Sequence, residues 1–97
     1  MKPATLAYLK TRLSRIACAE CVEAVRLIDE AVTSPVADLQ IRAERDLCHA
    51  IWGCVSRALD VAELSDLDVL KLDAIEAEMA GRVLTARLTL GELVKAE

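Results

Sequence analysis

Any chemistry in this 97-residue chain would have to come from four cysteines, one histidine and a set of carboxylates. Cys18 and Cys21 form a C-A-E-C pair, and Cys48 and Cys54 lie six apart. A reactive Cys-x-x-Cys pair sits at a helix N-terminus, where partial positive charge favours a thiolate. Here the pair falls about four turns inside an unbroken helical pattern, which makes it structural. On one helix, Cys48 and Cys54 would be separated by about 9 Å along the axis and about 120° around it, so they cannot share an ion. A metal-binding or thiol-sensing site would need Cys18, Cys21 and Cys48, brought level by an antiparallel hairpin turning near residue 34. Against that alternative stands the usual state of free cysteine, a small buried core side chain.

His49 is the sole histidine and falls on the polar strip of its helix, beside Gly53. No second histidine exists to activate a serine or cysteine, and no zinc-enzyme spacing or glycine-rich phosphate loop is present. Carboxylates such as Glu76 and Glu78 belong to a charged face. The chain is therefore expected to be no enzyme, and its residues imply no cofactor and no metal.

Net charge is −4 and the pI near 5.0, so nucleic acid is not the expected partner. The charge is uneven. Residues 1–19 carry Lys2, Lys10, Arg12 and Arg15 and no acid, whereas Asp66, Asp68, Asp73 and Glu76 lie in a stretch whose only base is Lys71. A basic run early in a long helix opposes the helix dipole, a hint that one of these cations answers an acid elsewhere. The acidic stretch is a candidate ridge for contacting another protein.

Apolar residues make up 55% of the chain and mean hydropathy is +0.33, more than one small domain can hide. Self-association or an apolar partner is the expected outlet. Charges recur too often for a membrane span, and Lys10, Arg12 and Arg15 interrupt any signal-peptide core, so a cytoplasmic protein is expected.

The elements that position these residues read as an all-α, three-helix bundle in one domain, completed by dimerisation. Helix 1 is long, about 4–33, with Leu6, Leu9, Leu13, Ile16 or Ala17, Cys21, Ala24, Ile28 and Ala31 in its stripe and Cys18, Val22, Val25 and Val32 beside it. Ser34 and Pro35 punctuate the chain and start an antiparallel helix 2, about 35–60, centred on Trp52. Ser65 caps helix 3, about 66–90; near-alternation over 83–90 also fits a strand less well, and Gly91 stops it.

Helix 3 carries two apolar lines. One is Leu67, Leu70, Ala74, Ala77, Gly81, Leu84 and Leu88; the other is Leu72, Ile75, Met79, Val83, Ala86 and Leu90. Gly53 and Gly81 suggest close helix approach. The interface is expected to use Trp52, Leu72, Ile75, Met79 and Val83 together with Asp66, Asp68, Asp73 and Glu76. The expected function is a small homodimeric regulator, adaptor or inhibitor that masks the surface of another protein.

Overall fold

A computed structural model describes residues 1–32 and 40–92. All regular structure in that span is helical: α1 Pro3–Ser14, α2 Ala19–Val32, α3 Ile41–Val61 and α4 Asp66–Thr89. Each helix packs against its neighbour in sequence. One core joins them, built from Leu9, Leu13, Ile28, Ile51, Leu72, Ile75 and Met79, with the cysteines Cys21 and Cys48.

Among the described residues there are four helices, not three, because the expected helix 1 is broken at residues 15–18. No glycine or proline marks the break. Tight turns end α1, with the Arg15 amide donating to the Arg12 carbonyl at 3.4 Å and the Ile16 amide to Leu13 at 3.1 Å. Ile16 then drops into the core at 2% exposure. The break removes the conflict with the helix dipole: Arg12 lies in the last turn of α1 and Arg15 is its C-cap, where cations are favoured, while Glu20 opens α2. Lys10 does answer an acid elsewhere, Asp29 on α2, at 2.7 Å. The apolar stripe crosses the break: Leu6, Leu9, Leu13, Cys21, Ala24 and Ile28 are buried, Ile16 rather than Ala17 takes the core position, and Ala31 is half-buried. Val22 and Val32, expected beside it, are exposed.

The Ser34–Pro35 cap lies outside the described residues. The helix expected from 35 is described from Ile41. The third expected helix matches α4 closely, and residues 83–89 are helix, which removes the strand alternative. Ser65 caps α4 as anticipated: its hydroxyl accepts from the Asp68 amide at 3.2 Å. Beyond Thr89 the chain turns at Gly91, whose φ of +71° suits glycine alone, and the Glu92 amide donates back to the Arg87 carbonyl at 2.9 Å. Gly53 and Gly81 face open space within the protomer, so neither marks a close internal helix crossing.

Candidate interaction face

The two apolar lines of α4 have opposite fates. Leu72, Ile75, Met79, Val83 and Ala86 are buried in the protomer's own core. The expectation that Leu72, Ile75, Met79 and Val83 form an interface is therefore corrected: they are buried in the protomer's core on the side of α4 that packs against α3. The line on the far side of the helix is uncovered. Leu67, Leu70, Leu84 and Leu88 are 52–66% exposed, and Ala74, Ala77 and Gly81 between them are exposed too.

The spacing of the lines explains the split. Leu67, Leu70, Ala74, Ala77, Gly81, Leu84 and Leu88 step strictly by three and four, a period of 3.5, which is that of a narrow seam against one partner helix. The line through Leu72, Ile75, Met79, Val83, Ala86 and Leu90 averages 3.6, the period of a straight helix lying on a core. That difference was the available signal for the exposed leucines. Beside the seam, a groove of about 620 Å³ runs along Ala77, Gly81 and Thr85 against Ile41 of α3. The small residues open it.

The acids do not form one ridge. Asp66 and Asp73 are exposed along one flank of the seam. Glu76 is turned to α3, where the Ser56 hydroxyl donates to its carboxylate, and Glu78 pairs with Arg82 at 3.3 Å. Asp68 is half-buried in the first turn. Trp52 is also half-buried, with its edge toward the His49 ring at 6.0 Å. It packs against the core and lines a cleft of about 400 Å³ with Arg45, Asp46, Arg87 and Glu92.

Among the described residues no three His, Cys, Asp or Glu side chains come together to hold a metal ion, so the Cys18, Cys21 and Cys48 cluster is not formed. The reason is register. Where α2 packs on α3, the start of α2 lies level with Cys54 rather than Cys48. Cys54 is accordingly the residue whose surroundings include Glu20 and Glu23, while Cys48 sits near Glu44 and Arg82.

The break between α1 and α2 also changes the setting of the Cys-x-x-Cys pair. It is not mid-helix. Cys18 precedes the first turn of α2, and its Sγ accepts from the Cys21 backbone amide at 3.3 Å. Cys21 is buried, and that burial, with the Cys18 sulfur beside it, pushes its thiol up to about 12. Burial likewise pushes the Cys48 thiol up to about 11. Thiol alkylation of the reduced, folded protein near pH 8 should therefore modify Cys18 first and reach Cys21, Cys48 and Cys54 only on unfolding, as read by peptide mapping. Unfolded cysteines ionise near 9.0 while folded Cys21 stays neutral, so the stabilisation is complete below that pH and is lost as pH rises from about 9 toward 12.

Among the described residues no helix is long and apolar enough to cross a membrane. Compared with family models, curated proteins and solved structures, the chain matches none.

Proposed function

We propose that this protein is a small, non-enzymatic interaction module of the cytoplasm, a homodimeric regulator, adaptor or inhibitor that acts by masking the surface of another protein. The observation that carries the reading is the seam on α4. A core complete without them leaves four leucines of one helix in water, and exposed apolar area of that kind marks a binding surface. Self-association through helix faces leaves Trp52, Arg45, Asp46 and Glu92 of the neighbouring cleft for the second protein. Light scattering on the purified, reduced chain tests the reading. A mass near twice 10.5 kDa supports it, and a monomer at every concentration removes the homodimer from it.

One observation favours a second reading, a thiol sensor. The placement of Cys18 and Cys21 at the start of α2 is the arrangement in which a dithiol reacts. In this reading the Cys18 sulfur attacks a small-molecule disulfide and releases one thiolate. That thiolate takes the Cys21 proton, and the Cys21 sulfur attacks the Cys18 sulfur of the mixed disulfide, expelling the second thiolate, which takes up the proton that Cys18 gave to solvent on ionising. Residues three apart in a first turn lie within the Cα range of about 4.4–6.8 Å that a disulfide spans. Incubation with oxidised glutathione followed by mass spectrometry should show an internal Cys18–Cys21 link, and a Cys21→Ser chain should stop at a glutathione adduct on Cys18. A wild-type chain that stays fully reduced counts against this reading.

A further inference from the structure

The seam on α4 reads almost the same in both directions. About Ala77, the order Leu67, Leu70, Ala74, Ala77, Gly81, Leu84, Leu88 is leucines, small residues, leucines. We infer that its occupant is the same helix of a second copy, laid antiparallel across a two-fold axis near Ala77, with Asp66 of each chain against Arg87 of the other. This rests on the interaction-module reading and specifies the face, orientation and register of the dimer.

Three observations converge on that arrangement. The first is shape. A two-fold pairing sets Leu67 near Leu88 of the second copy and Leu70 near Leu84, and it brings Ala74, Ala77 and Gly81 together at the crossing, where small side chains let helix axes approach. The groove along Ala77, Gly81 and Thr85 supplies the space beside the crossing. It also gives Gly81 a role that the protomer does not, since a Cβ there would meet nothing.

The second is charge. Asp66 and Arg87 are exposed, and neither makes an ion pair among the described residues. They stand three heptads apart on the same flank of the seam, so antiparallel pairing brings them together twice, once at each end. A parallel pairing would set Asp66 against Lys71 but oppose Asp73 and Glu78, two acids, and would offer Arg87 only Glu92, which Arg45 already holds. The antiparallel arrangement does place the two Glu78 side chains near one another, but each is already held by Arg82 of its own chain. The third is the helix dipole, which also favours antiparallel neighbours.

Charge reversal separates this pairing from other dimers. Sedimentation equilibrium of Asp66→Lys and of Arg87→Glu should each show dimer dissociation raised roughly tenfold, because each reversal replaces two attractions with two repulsions. The chain carrying both reversals should return to near wild-type affinity. Both substitutions oppose the dipole of α4, so a purely structural effect would add rather than cancel. Circular dichroism of each variant checks that the helices persist. Restoration in the double variant supports the pairing. A wild-type dimer that all three variants leave unchanged overturns the pairing while the interaction-module reading stands, as does a dimer weakened by the single reversals and weakened further by the double one. A wild-type chain that is monomeric throughout overturns both the pairing and the homodimer.

Discussion

A chain carrying Leu84→Glu is expected to be a folded monomer. Leu84 is 52% exposed and lies outside the core cluster, so the protomer should lose little stability and keep its helical content. In the dimer the same substitution puts a carboxylate from each chain into an apolar seam without a partner. Burying an unpaired charge costs several kcal/mol, and the two-fold axis applies the cost twice, so dissociation should rise by more than about a hundredfold. Light scattering reads the mass, and thermal unfolding at matched dilution reads the fold. Unfolding of the variant would place Leu84 in the core instead, and an unchanged dimer would locate the interface elsewhere.

Leu72→Ala should do the reverse. Leu72 has no exposed surface and is packed with Ile75, Met79 and Ile51 in the common core. Truncating a buried leucine removes its transfer free energy and leaves a cavity, together about 2–5 kcal/mol. A domain of this size has a total stability of only about 5–15 kcal/mol, so denaturant midpoints should fall by a large fraction. Dimer affinity, measured where the variant is still folded, should change little. Leu70→Ala, only two residues away but 66% exposed, gives the paired control: its effect should fall on association rather than on unfolding. The two leucines differ by about 200° around the helix, and that rotation alone assigns them to different equilibria.

The helical class, the buried stripe through the first 32 residues, the Ser65 cap and the stop at Gly91 were all legible in the chain, because each depends on neighbours within one or two turns. Side chains three and four apart meet wherever a helix forms, a serine hydroxyl reaches an amide three residues on, and a glycine turns where other residues would be strained. The existence of two apolar lines on α4 was equally plain. Their roles were not. Each line alone is amphipathic enough to be a core face, and only the packing of α3 on the line of Leu72 and Met79 left the line of Leu70 and Leu84 in solvent.

The break at residues 15–18 is tertiary in the same sense. Local preference there allows helix throughout, and the chain bends because Ile16 gains burial, Lys10 reaches Asp29 and the α1 cations move to a favourable helix end. That bend alone moves Cys18 and Cys21 from the middle of a helix to its start. The packing of α2 on α3 sets which cysteine of α3 faces them. The sequence by itself determined the helices and their apolar faces, since these arise from contacts a few residues apart. Tertiary structure decided which face is core, which face is left in solvent and which sulfur is accessible, since these depend on contacts between residues far apart in the chain.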